Sequence, residues 1–378
     1  MQRRLLPLFL SQSFRSAAVS LISFFSAVYI YKLTSSFLAV FAFFLIFYVF
    51  KLIGTSLAEN LSLKTGLKRQ VVLGQFLNVL ALAAFLGSAN IYAFLWLASF
   101  FWGLSAGFFW FGWHGLLAKD GYLGEYGRAL GSASAIETIF LVSTPLLGGI
   151  LVSQFGYQAL FVGALGFLLL GFSTPVFLSE HKTHKDVTFK EILKIFITHK
   201  KMFLTYFSHG ATGTLYSVAF ILYLFLILKK EMDLGLFFCL SMVLVALANL
   251  LIGRWVDARG KKRLVIFGSC LASIVWFGRF LIKSITFLFV LDIFYRIALG
   301  MLGIPLGVLS YEKATDGGST GRAILFREGA ITFGSIFVCV LLAIFNLIGL
   351  ELRFSFLAGI IFSLFPLLIV KKQGIYGE

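Results

Sequence analysis

Apolar runs of about twenty residues recur along this sequence with little between them. Twelve can be marked: 5–31, 36–58, 70–87, 90–117, 129–153, 158–178, 202–228, 234–253, 264–282, 285–311, 323–349 and 354–370. Each is long enough to cross a hydrocarbon core as a helix. In lipid every backbone N–H and C=O needs an internal partner, so only helices and closed barrels span. Runs of this length are helices. The chain is 60% hydrophobic and 13% charged, with mean hydropathy +0.96, where a soluble domain carries about 25% charge. The fold class is therefore an all-α membrane protein, and the short connections leave no space for a soluble domain.

The 46 phenylalanines read as lipid-facing and packing residues. Cys239, Cys270 and Cys339 are far apart in apolar runs. They read as free buried thiols, with neither metal spacing nor a disulfide framework. The N-terminal Met-Gln-Arg-Arg, followed by a long apolar run, reads as an uncleaved first helix.

The net charge of +16 is placed by topology rather than by a nucleic-acid partner. With the N-terminus inside, inner segments hold 22 of the 32 lysines and arginines and outer loops hold five, Lys32, Lys229, Lys230, Lys283 and Arg353. Cations near span ends stay cytoplasmic. The split predicts an even number of spans with both termini cytoplasmic, in the cell (inner) membrane. The one long connection, 179–201, divides the chain into 1–178 and 202–378. Within it Thr188-Phe-Lys-Glu191 has capping-box spacing. Phe189, Leu193, Phe196 and Ile197 then share a helical face, which points to a surface helix or, more plainly, a basic linker.

The halves match without a gap at an offset of 194 residues. Leu8-Phe-Leu-Ser-Gln-Ser-Phe-Arg15 faces Met202-Phe-Leu-Thr-Tyr-Phe-Ser-His209, and Lys64-Thr-Gly-Leu-Lys-Arg69 faces Ala258-Arg-Gly-Lys-Lys-Arg263. Lys119 faces Lys313, and Gly127-Arg-Ala129 faces Gly321-Arg-Ala323. Two six-helix bundles in parallel pseudo-repeat follow.

Between the eighth and ninth runs lies Gly253-Arg-Trp-Val-Asp257-Ala-Arg-Gly260-Lys261-Lys262-Arg263. Its Gly-x-x-x-Asp-x-x-Gly spacing and basic cluster closely resemble the signature loop of the major facilitator superfamily. Span count, inside termini, central basic loop and repeat extend the resemblance over the whole chain. It implies a secondary transporter in which this loop latches the cytoplasmic ends of the bundles, with Asp257 facing the start of span 5 near Arg128. The alternative is a tight turn and topology signal. The first-half copy departs, with Leu63 for the Asp and Glu59 for a Gly. Pro145-Leu-Leu-Gly148-Gly149 resembles the end of a motif associated with exporters, and span 4 lacks the membrane Arg of many proton-coupled members.

Ionisable residues inside spans are costly and rare, so each is a site candidate. Arg15 lies about ten residues into span 1, roughly 15 Å deep at 1.5 Å per residue. His209 is its repeat mate, and the resemblance puts both on the central cavity. Asp292 and Arg296 are four apart and share a face of span 10. Glu137 is a lone carboxylate suited to proton coupling. Arg279 could snorkel to the surface or compete for Asp292, and the resemblance, which makes its span peripheral, favours snorkelling. The resemblance implies that spans 2 and 11 meet at the interface of the bundles, which makes Lys51 and Glu328 a candidate gate pair. His114 shares a face with Gly103 and Gly107 and reads as a packing histidine. Pro145 and Pro305 mark helix breaks.

The function expected is alternating-access transport of a small organic solute in a lipid bilayer, as a monomer. Proton-coupled efflux (an antiporter) is the reading preferred, with uptake or exchange of an organic anion as the alternative. In-span cations Arg15, Lys51, Arg279, Arg296 and Arg327 outnumber Glu137, Asp292 and Glu328, which suits the anion alternative. No Gly-x-x-x-x-Gly-Lys loop is present for ATP, and no cofactor or metal is implied. The scattered polar residues do not form an enzyme site. A transporter-like sensor without transport is a further reading.

Overall fold

The computed structural model describes residues 2–120, 126–172, 174–182, 196–259, 261–316 and 320–370. For 2–5, 120, 126–140, 176, 246–259, 261, 304–305, 307–316, 320 and 370 it describes the backbone alone. The expected surface helix from Thr188 lies outside these residues. Phe196 is inside them, and it packs on Phe203 at 5.0 Å and on Phe326 at 5.3 Å. It therefore docks on the protein.

The described chain is helical almost throughout. The first helices are α1 (Gln2–Thr34), α2 (Phe37–Thr65), α3 (Leu67–Ser88) and α4 (Ala93–Asp120). The stretch Tyr126–Phe172 is helical on both sides of Gly156, whose φ of 81° and ψ of 177° break it into α5 (126–155) and α6 (157–172). Then come α7 (Lys200–Leu228), α8 (Glu231–Arg259), α9 (Lys261–Leu281), α10 (Ile285–Asp316) and α11 (Thr320–Leu347). A 3-10 turn, Leu352–Ser355, leads into α12 (Phe356–Ser363) and α13 (Leu367–Val370). Among the described residues ten stretches are long and apolar enough to cross a membrane. One of the ten, Leu141–Phe172, contains the Gly156 bend, and the 29-residue α8 is additional to them.

Helix ends recur at the offset read from the sequence. Helix α1 ends at Thr34 and α7 at Leu228. Helix α2 covers Phe37–Thr65 and α8 Glu231–Arg259. Even the turns agree: Ser35 (φ 53°) and its repeat mate Lys229 (φ 64°) both have positive φ without being glycine. That geometry is uncommon for such residues, so its recurrence at matched positions marks a shared turn.

Two expectations are corrected. Pro145 lies inside a helix, and the break falls at Gly156 instead. Gly tolerates that backbone and a missing N–H does not enforce one. The Gly253–Arg263 segment is hardly a loop: α8 runs through Arg259 and α9 begins at Lys261.

Helices press together where small residues remove side chains. On α4, a Cβ at Gly107 would lie 2.5 Å from the Thr55 amide nitrogen of α2. A Cβ at Gly210 of α7 would lie 1.8 Å from the Ile331 carbonyl oxygen of α11. Helix α2 also packs on α11, and α5 on α8, so each pair joins the two sequence halves. The start of α3 is closed by the chain that follows α6. The Lys68 amide donates to Glu180 Oε1 at 2.9 Å and the Leu67 amide to the His181 carbonyl at 2.8 Å.

Candidate functional site

Two buried clusters gather most of the intramembrane charge. The first is built on Asp292 of α10, which is fully buried. A lone carboxylate there would be very costly. Four donors converge on it. Arg279 Nη2 and the Tyr216 hydroxyl reach Oδ1 at 2.9 and 3.0 Å. Arg296 Nε and the Ser241 hydroxyl reach Oδ2, each at 2.8 Å. The helical spacing of four brings Arg296 over Asp292, as the sequence implied. Arg279 comes from α9, Ser241 from α8 and Tyr216 from α7.

Arg279 is the correction here. It does not snorkel; it is 0% exposed. Besides Asp292 it has aromatic neighbours, with its guanidinium carbon 3.8 Å from the Phe220 ring centre, 4.5 Å from Tyr295 and 4.9 Å from Trp276. Its Nε and Nη1 lack hydrogen-bond acceptors, and the ring faces supply the attraction instead. A guanidinium is weakly hydrated and stacks on rings, so it tolerates this site better than an ammonium would.

The second cluster is built on Glu328 of α11, 4% exposed. Lys51 Nζ lies 3.1 Å from its Oε2, Arg327 Nη1 2.6 Å from its Oε1, and His114 Nε2 3.4 Å from Oε1. His114 also meets Arg327 Nη1 at 2.7 Å and stacks on Trp110 with centroids 5.3 Å apart. The histidine expected only to pack therefore ties α4 to α11 as well. Arg15 of α1 is buried and sits over Phe109 at 4.2 Å, with Trp110 at 5.7 Å. One indole thus lies between Arg15 and His114.

His209 is exposed despite lying inside α7. It is close enough to Arg327, Glu328 and Lys51 to feel their charges. It also lines a small cavity with Thr205, Ser208, Thr212, Tyr295 and Ser363.

Among the described residues each cluster holds two cations and one carboxylate, a surplus of positive charge. Arg296 and Arg327 are the most accessible members, their side chains 14% and 22% exposed against 11% for Lys51.

The sequence did not single out Tyr216, Ser241, Lys32 or Glu231. Lys32 and Tyr157 both reach Glu231 Oε1, the tyrosine at 2.9 Å. This ties the end of α1 and the start of α6 to the start of α8. Neutral hydroxyls give no sequence signal, and the Lys32–Glu231 pair joins segments on opposite halves.

Other candidates are placed only in part. Glu137 lies in α5 and Gly253 and Asp257 in α8, as backbone alone. The side chain of Lys261 and the whole of Gly260 lie outside the described residues. Lys262 and Arg263 are exposed on the first turn of α9. Among the described residues no group of three or more His, Cys, Asp or Glu side chains comes together as a metal would need.

No protein-family model matches the sequence, and no curated protein matches it. The solved structures give a different answer. The chain is similar to the crystal structure of the human organic anion transporter MFSD10 (TETRAN), with a TM-score of 0.73 and 13% identity. The likeness covers 98% of this chain and 99% of that one. At that identity the likeness shows the fold alone.

Proposed function

We propose that this chain is a secondary transporter that moves a small organic anion by alternating access between two six-helix bundles, 1–178 and 202–378. Twelve spans follow if α5 and α6 each cross the membrane and α8 is added. The observation that carries the substrate charge is the pair of clusters, each with two cations on one buried carboxylate. An anion entering between the bundles supplies the missing countercharge, and low dielectric strengthens that attraction. The fold's likeness to an organic anion transporter points the same way.

In this reading Arg296 and Arg327 contact substrate, with His209 and Arg15 beside them. Lys51–Glu328 between α2 and α11 opens and closes with the cycle. So does Lys32–Glu231 between α1 and α8. Proton-coupled efflux through Glu137 and latching by Asp257 stand as further proposals, as do cytoplasmic termini in an inner membrane. The test is counterflow in proteoliposomes with carboxylates and sulfonates. Accumulation of an anion in wild type, lost in Arg296→Gln, supports the reading. Accumulation of lipophilic cations with no anion flux sinks it.

A further inference from the structure

Tyr216 lies in the one stretch of α7 that is not α-helical. Leu215–Phe220 is a π-helix, a form rare in helices and frequent at functional sites. The ring of Tyr216 stacks on Tyr295 at 5.1 Å and on Phe220 at 5.6 Å. Its hydroxyl has two partners. It donates to Asp292 Oδ1 at 3.0 Å and accepts from Arg296 Nη2 at 2.6 Å.

The roles of the two arginines now separate. Arg279 is sealed among rings and offers a ligand no accessible face. Arg296 spends Nε on Asp292 and Nη2 on the Tyr216 oxygen, and keeps accessible surface. The surplus charge of the cluster is reachable at Arg296, and a neutral phenol oxygen occupies its Nη2 donor. A carboxylate or sulfonate oxygen makes a stronger bond to the same donor, because both partners are then ionised.

We infer that the Tyr216 hydroxyl holds the place of the substrate's anionic group on Arg296, and that the π stretch is the joint that lets it withdraw. This rests on the reading of the chain as an anion carrier. A π turn holds one residue more than an α turn. Returning Leu215–Phe220 to α geometry shifts register by one residue, about 100° of rotation. That carries Tyr216 away from Arg296 without breaking α7. Tyr216 is thus a specificity-setting residue: only an anion that outcompetes its hydroxyl gains Arg296.

The test uses the purified full chain with benzoate, octanoate and naphthalene-2-sulfonate, read by thermal shift and by amide hydrogen exchange over 215–220. Tyr216→Phe keeps the ring and removes the competitor. Affinity for the best anion should rise by about tenfold, the scale of one hydrogen bond to a charged group. Arg296→Gln should abolish the shift, and in wild type the anion should change exchange over 215–220. Unchanged or weaker affinity in Tyr216→Phe, with binding still lost in Arg296→Gln, overturns the inference and leaves the anion reading intact. No response of either protein to any of the three anions overturns both. Exchange over 215–220 that ignores a bound anion overturns the joint, whether or not Tyr216→Phe folds.

Discussion

Lys51 of α2 and Glu328 of α11 form an ion pair at 3.1 Å, deep inside the helical stack and across the two sequence halves. Removing one partner from such a pair costs roughly 3–5 kcal/mol, because the other charge stays buried. Lys51→Glu places two carboxylates together and should lower the melting temperature strongly. The exchange Lys51→Glu with Glu328→Lys should recover much of the loss. A double variant no more stable than the worse single one would show that the residues are not coupled.

Asp292 balances two arginines. Asp292→Asn leaves them facing each other and should destabilise by roughly 3–5 kcal/mol. Adding Arg279→Leu should restore part of that, since the replacement suits the surrounding rings. Thermal unfolding of the single and double variants checks this. A double variant that is worse by the sum of both losses would argue against charge balance as the cause.

The carboxylate of Glu231 is held by Lys32 and Tyr157. Glu231→Gln should loosen the junction of α1, α6 and α8. A cysteine placed at Ser26, buried below that end, should then react faster with a water-soluble maleimide. Tyr157→Phe, which leaves the ion pair in place, should produce the smaller increase. Equal labelling in all three proteins would remove the triad from any gating scheme.

Two glycine substitutions should separate backbone strain from crowding. A Cβ at Gly156 meets nothing within 4 Å, so Gly156→Ala costs only its φ of 81°, about 1–3 kcal/mol. Gly210→Ala drives a methyl into the Ile331 carbonyl and pushes α7 off α11. Its loss of melting temperature should be the greater one, and a smaller loss would mean that the interface yields easily.

Span positions were legible because lipid permits one solution to a twenty-residue apolar run. The repeat was legible through polar positions, and the helix ends at Thr34 and Leu228 match its offset. The Asp292–Arg296 contact followed from helical spacing. Arg279 did not, because its position near a span end suggested snorkelling while its ring partners come from α7, α9 and α10. Tyr216 was invisible for a related reason: a π turn leaves no mark on hydropathy. The Gly156 bend was expected only as a connection between runs, and Pro145 drew attention that belonged to the glycine.

Glu180 and His181 close the first turn of α3 with a carboxylate and a carbonyl taken from beyond α6. A protease nick after residue 182 would leave both bonds within one fragment. The first piece, expressed from its own message, would keep the start of α3 tied. Reassembly of the folded protein from two half-length polypeptides is therefore a practical route to labelling each half alone.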